Sequence, residues 1–164
     1  MTKAYIAEDI QMKNREKAVY LDVCALGRPY DDHRIMRIGI EINAVQLIIA
    51  VIRAGRFFMY YSPVHIHEIG RNPDDVIRAD LMALLYGIGR NIKPLIKPET
   101  LEQRARSLMK AGVGAGDAFH IAHAEQAEAS FVTCDDRLLK KYRALGNKVW
   151  CGTPVEFCEK ERLI

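Results

Sequence analysis

Short apolar runs and longer amphipathic stretches follow one another along the chain, predicting strands that alternate with helices. Val19 to Val23 is an apolar run carrying one carboxylate, Asp22, and has the shape of a buried parallel strand that ends in a polar residue. Gly27 to Asp32 is rich in turn formers. From Arg34 to Ala54 apolar residues recur every three to four positions, predicting a long helix that Gly55 stops. Phe57 to Tyr61 is aromatic and β-prone. Ser62-Pro63 resembles a cap followed by proline in the first helical turn, opening a short helix to about Ile69. Asp74 caps a further helix to about Gly89, Asn91 to Ile96 is a short strand interrupted by Pro94, and Pro98 opens a helix ending near Gly112. Gly112 to Gly116 is a flexible joint, and Asp117 begins an alanine-dense helix. Ser130 to Thr133, Asp135 to Leu145 and Lys148 to Trp150 then predict strand, helix and strand, and Thr153 starts a terminal helix. Strands alternating with helices imply a three-layer α/β/α fold with a mostly parallel sheet of four to five strands. Residues 1–17 form an N-terminal extension and 18–164 one domain, without internal repeats.

Composition narrows the classes. The chain has 164 residues, 49% hydrophobic and 27% charged, which suits one core and a soluble globular domain. The longest apolar segment, Ala44 to Ile52, is far shorter than the ~18 residues that cross a bilayer, so no membrane partner is expected. The first 17 residues lack the basic start, apolar middle and small-residue cleavage site of an export signal, making the cytoplasm the expected compartment. Cys24, Cys134, Cys151 and Cys158 show no zinc-type pairing and read as free thiols. A net charge of +3 permits a nucleic-acid partner without demanding one.

The acids change the picture. Asp22 ends the first predicted strand, Glu68 lies one or two helical turns beyond the second, Asp117 opens a helix, and Asp135 follows the strand at Phe131. A parallel sheet brings such positions to one edge, where ligands bind beyond the carboxyl ends of strands. Carboxylates sharing a pocket repel one another and need protons or cations to neutralise them. Oxygen-only ligands suit magnesium or manganese, and such a site supports metal-assisted phosphodiester hydrolysis. Taken singly, Asp117, Asp135 and Asp136 serve equally well as helix caps, and Glu68 fits an ordinary surface glutamate. Glu41, between Ile40 and Ile42, reads as a partly exposed face residue, and His120 and His123 as packing residues. Arg28, Arg71, Arg137 and Lys140 are candidate phosphate contacts.

Together these segments resemble the PIN domain family. Val19-Tyr20-Leu21-Asp22-Val23-Cys24-Ala25-Leu26 looks like its opening strand with the first metal-binding aspartate, and Tyr61-Ser62-Pro63 through Glu68 like its second strand, polar residue and following glutamate. Gly116-Asp117-Ala118-Phe119-His120-Ile121-Ala122 looks like its aspartate-led helix, and Phe131-Val132-Thr133-Cys134-Asp135-Asp136-Arg137-Leu138-Leu139 like its final strand and threonine-x-aspartate signature. The resemblance covers about residues 18 to 152 and implies an endoribonuclease dependent on Mg2+ or Mn2+, with Asp22, Glu68, Asp117 and Asp135 as catalytic and metal-binding acids. It further implies Thr133 as a hydrogen-bonding support and Asp136 as an outer partner. Many members are toxins of the VapC type, held inactive by a cognate antitoxin, and many pair as homodimers; an RNA substrate, an antitoxin partner and a homodimer are therefore expected, the alternatives being a DNA nuclease or phosphatase with the same site, or a non-catalytic binding module of that fold. The segment Gly27 to Ala54, with Arg28-Pro29-Tyr30-Asp31-Asp32 and Glu41, departs from the shortest toxin form and makes Glu41 the reserve for Glu68.

Overall fold

The structure is a computed structural model that describes residues 17–91 and 98–164. The extension assigned to residues 1–17 lies outside the described residues except for Lys17, which starts the first strand. At the centre stands β1 (Lys17–Leu21), whose alternating side chains serve opposite faces as a period of two requires. Val19 and Leu21 enter one hydrophobic cluster, and Ala18 and Tyr20 the other. On one side lie β2 (Phe57–Tyr61) and then β3 (Gly89–Asn91); on the other lie β4 (Ser130–Val132) and then β5 (Cys151–Gly152). Every pairing is parallel, with Lys17 opposite Phe57, Val19 opposite Ser130, Met59 opposite Gly89, and Phe131 opposite Cys151.

Helices cover both faces, completing the expected three layers. The first face carries α1 (Val23–Leu26), α2 (Met36–Arg53), α3 (Pro63–Gly70), α4 (Asp75–Ile88) and α8 (Pro154–Lys160). Leu26, Val45, Ile48, Ile69, Leu81, Leu85 and Phe157 are buried there. Ala105, Leu108, Ala118, Ile121, Leu138 and Tyr142 bury α5 (Pro98–Lys110), α6 (Ala115–Gln126) and α7 (Asp136–Ala144) on the second. No helix among the described residues is long and apolar enough to cross a membrane.

Several boundaries differ from expectation for local reasons. The first strand stops at Leu21 because Asp22 accepts a hydrogen bond from the Ala25 amide and caps α1, which takes Val23 out of the strand. The third strand occupies Gly89–Asn91, directly off α4; a Cβ at Gly89 would stand 2.5 Å from the Leu85 carbonyl oxygen and 2.6 Å from Tyr61, so only glycine permits the turn. The predicted strand Asn91 to Ile96 otherwise falls on residues outside the described ones. The last strand is Cys151–Gly152 rather than Lys148 to Trp150, since the amides of Phe131 in β4 and of Thr133 just after it donate to the carbonyls of Trp150 and Gly152. Finally, α6 begins at Ala115 with Gly114 as its cap, so Asp117 lies inside the first turn instead of capping it. Ile48 is fully buried between α2 and the sheet; Ile48→Ala is expected to lose about 2–5 kcal/mol of stability in urea denaturation.

Candidate active site at the sheet's carboxyl edge

The chain leaves β1 toward β2 and β3, then returns to the opposite side of β1 as β4. This reversal opens a crevice beyond the carboxyl ends of β1 and β4, where open parallel sheets bind ligands. The residues that follow the strands therefore meet there: Asp22 after β1, Ser62 after β2, and Thr133 and Asp135 after β4.

Asp22 is 5% exposed, and its Oδ1 accepts from the Ala25 amide and the Cys24 thiol, each at 2.9 Å. Burial raises its pKa, against hydrogen bonds from Cys24 and Thr133 and the nearby His120. The buried Thr133 also contacts Cys24 at 3.3 Å and accepts from the Asp135 amide at 3.1 Å, so it joins the β1 and β4 ends as the resemblance implied. Asp135 caps α7 through the amides of Arg137 and Leu138. It is thus a cap that still stands on the acidic edge. Asp117 is half-buried, and its pKa is raised by burial and then by the charges of Asp22, Asp135 and Glu68. Asp117 thus lies within electrostatic reach of the other three candidate acids.

Glu68 is held from below. Gly116 supplies the cradle, because a Cβ there would stand 2.6 Å from Glu68 Oε1. His120 holds the other oxygen: its Nε2 donates to Glu68 Oε2 at 3.1 Å, which lowers the Glu68 pKa. The opposite ring nitrogen, Nδ1, meets the Tyr20 hydroxyl at 2.7 Å, and Tyr20 meets the Ser62 hydroxyl at 2.7 Å. Beside them the Ser62 amide donates to His65 Nδ1, which assigns the proton to His65 Nε2; that nitrogen donates to the Leu21 carbonyl at 2.7 Å. Tyr20, Ser62, His65 and His120 are all buried. His120 is accordingly not a packing residue alone.

Three other expectations need correction. Glu41 is 3% exposed rather than on a partly exposed face. It is taken up by Arg37 Nε at 2.9 Å and by Arg28 Nε, which stands 2.7 Å from Glu41 Oε2 without hydrogen-bond alignment. Arg28 also pairs with Asp31, so its charge is spent on acids and it is not a spare phosphate contact. Both carboxylate oxygens of Asp136 accept from Arg37, at 2.6 and 2.7 Å, so its partner among the described residues is that arginine and not one of the acids it was expected to support.

The donor set at the edge consists of carboxylate oxygens, the chemistry that magnesium and manganese select, and its mutual repulsion is the field that a cation relieves. Asp22, Glu68, Asp117 and Asp135 are the residues that would have to be drawn together to hold such an ion. Among the described residues, no group of three or more aspartate, glutamate, histidine or cysteine side chains is arranged to hold a metal ion.

Comparison with known proteins agrees with this layout. A family profile described as "PIN domain" matches residues 49–144. The chain belongs to the PIN domain family. Among solved structures, FitAcB from Neisseria gonorrhoeae is 16% identical, with a TM-score of 0.50, covering 83% of this chain and 97% of its own. FitAB bound to an IR36 DNA fragment gives 15% identity, a TM-score of 0.53, and coverage of 83% and 94%. VapBC2 from Rickettsia felis, bound to a DNA fragment from its promoter, gives 12%, 0.53, 83% and 98%. At these identities the likeness establishes the shared fold. No curated protein matches the chain.

The PIN profile begins inside α2, so Asp22 and the Arg28–Glu41 network are placed by the structure alone. Sequence reasoning missed Tyr20, Cys24, Ser62 and His65 as parts of the edge. The signal was polar residues at strand ends, and their partners are up to 110 positions away. Tyr20→Phe removes one hydroxyl while keeping the ring, leaving His120 and Ser62 short of a partner. It is expected to cost about 1–3 kcal/mol in urea denaturation.

The buried histidines also set a pH response. Burial and the neighbouring His120 lower the pKa of His65 to about 3 and of His123 to about 4. Below the ordinary histidine value of about 6.5, the unfolded chain binds protons that the folded chain refuses. Each contribution is therefore complete above pH 6.5 and shrinks as the pH falls toward 3 and 4. Urea midpoints are expected to drop between pH 7 and pH 5, and the drop should be smaller in His65→Gln; an equal drop in both would remove His65 as a cause.

Proposed function

We propose that this chain is a divalent-metal-dependent endoribonuclease acting through Asp22, Glu68, Asp117 and Asp135, and that it is the toxin of a toxin–antitoxin pair. The observation that carries the reading is the meeting of acid-bearing segments in a chain of the PIN family: Asp22 and Asp135 follow the neighbouring parallel strands β1 and β4, and Glu68 lies against Gly116, the residue before Asp117. A phosphodiester hydrolase has a use for such a set of acids. When bound at this edge, Mg2+ or Mn2+ supplies positive charge for the phosphate oxygens and acidifies water. The chain's own part is to hold the donors still. Thr133 and Cys24 fix the rotamer of Asp22, the first turns of α6 and α7 fix Asp117 and Asp135, and His120 with Gly116 fixes Glu68. Membership of the PIN family supports nuclease chemistry. The likeness to FitAB and VapBC2 supports an antitoxin protein as partner.

The test is to incubate the purified chain with single-stranded RNA, DNA and a phosphate monoester, with and without Mg2+ or Mn2+. RNA cleavage is expected only with the cation. Asp22→Asn should reduce it by more than the roughly 10–100-fold typical of outer-shell changes. RNA cleavage that survives Asp22→Asn would overturn the site, and turnover of DNA or of the monoester alone would reassign the substrate. Toxin action is checked by induced expression in a bacterial host, where the wild type should arrest growth and Asp22→Asn should not.

Removing a charge should also be visible without turnover. Asp117→Asn relieves repulsion and is expected to raise the metal-free Tm, by about 2–4 °C for each kcal/mol relieved. The same variant should lose the stabilisation that Mn2+ gives the wild type. A Tm shift by Mn2+ that is identical in both proteins would remove Asp117 from the metal site.

A further inference from the structure

We propose that the open groove running away from Glu68 between α3 and α6 binds an unpaired nucleotide segment of the RNA substrate, with Arg71 taking a phosphate and Phe119 stacking a base. This location rests on the nuclease reading above. The groove has a volume of about 740 Å3, and its lining includes Val64, His67, Glu68, Arg71, Gly116 and Phe119. Glu68 and Gly116 belong to the acidic edge as well, so the groove opens directly from the candidate acids. A polynucleotide with its scissile phosphate at those acids has to continue along some neighbouring surface, and this one complements it chemically.

The complementarity has three parts. Arg71 ends α3, is exposed, and has no ion-pair partner among the described residues, unlike Arg28 and Arg37, whose charges Glu41 consumes. A free guanidinium suits phosphate, to which it donates in a planar fork. Phe119 is half-buried and packs against the second hydrophobic cluster, which keeps its ring from collapsing while leaving part of it open. Aromatic surfaces of this kind stack bases with little regard to sequence. Phe119 also lines a second groove with Glu102, Arg106, Met109 and Lys110, so the track continues past the ring toward Lys110, which is unpaired among the described residues, whereas Arg106 is paired with Glu102. Duplex RNA keeps its bases stacked inside the helix and offers none to Phe119, so the groove selects single strands.

The decisive experiment measures binding of a fluorescein-labelled single-stranded RNA by anisotropy. The full chain carries Asp22→Asn, which separates binding from cleavage. Arg71→Ala and Phe119→Leu are each added to that background; leucine preserves the apolar packing and removes the stacking face. Each is expected to raise Kd by about tenfold. Arg53→Ala, an exposed cation at the opposite edge where α2 turns toward β2, should change it less than about twofold. Phe119→Leu should leave the binding of a duplex of the same sequence unchanged. Unaltered Kd in Arg71→Ala and Phe119→Leu, an equal loss in Arg53→Ala, or no binding by the parent would each overturn the groove. If the wild type cuts RNA while the groove variants bind like the parent, the nuclease reading stands and the groove falls. If the groove variants lose binding while the wild type cuts nothing, the reverse holds.

Discussion

Like charges brought together at the end of a sheet set the terms for everything around them. Asp22, Asp117 and Asp135 belong to different segments, and burial denies two of them full solvation. The fold answers with fixed dipoles and one imidazole. All three aspartates lie at or within the first turn of a helix, where unpaired amides and the helix dipole favour negative charge. His120 lies close enough to oppose the rise in the pKa of Asp22 and of Asp117, and its hydrogen bond lowers that of Glu68. The compensation is partial, since Asp22 and Asp117 stay raised, and the edge keeps an appetite for positive charge.

The imidazole that moderates the acids is itself anchored by the sheet. Tyr20 points from the middle of β1 into the second face, and its hydroxyl lies between Ser62 and His120. His65, one turn into α3, reaches back to the carbonyl of Leu21, the residue before Asp22. Thus β1, α3 and α6 are tied by polar contacts that close on one another. Buried polar groups are tolerable only when each finds a partner. A network of this kind is rigid because no single member turns without orphaning its neighbours.

A second set of charges braces the other flank. Glu41, inside α2, draws Arg28 from the loop after α1 and Arg37 from its own helix, and Arg37 extends to Asp136 at the start of α7. The contact between Arg37 and Asp136 is exposed and contributes little by itself. Around Glu41 the case differs, because a buried carboxylate left without its arginines would be costly. The stretch from Arg28 through α2 is therefore a brace toward the start of α7, and Glu41 is occupied as part of it.

The alternation of strands and helices, the caps at Ser62, Asp74 and Thr153, and the coincidence of acids with strand ends were all legible in the sequence, because periodicity and capping act over a few residues. The four candidate acids were named from their order and spacing along the same elements. Strand order was not legible, nor was the pairing of Tyr20 with His120 across 100 positions or the burial of Glu41 by Arg28. Neither was the second duty of Gly116, whose missing side chain makes room for Glu68. Contacts of that kind depend on which segments the packed sheet makes neighbours. Local chemistry thus determined the elements and the kinds of residue at their ends, and tertiary packing alone decided which charges meet, which are neutralised and which remain open to a ligand.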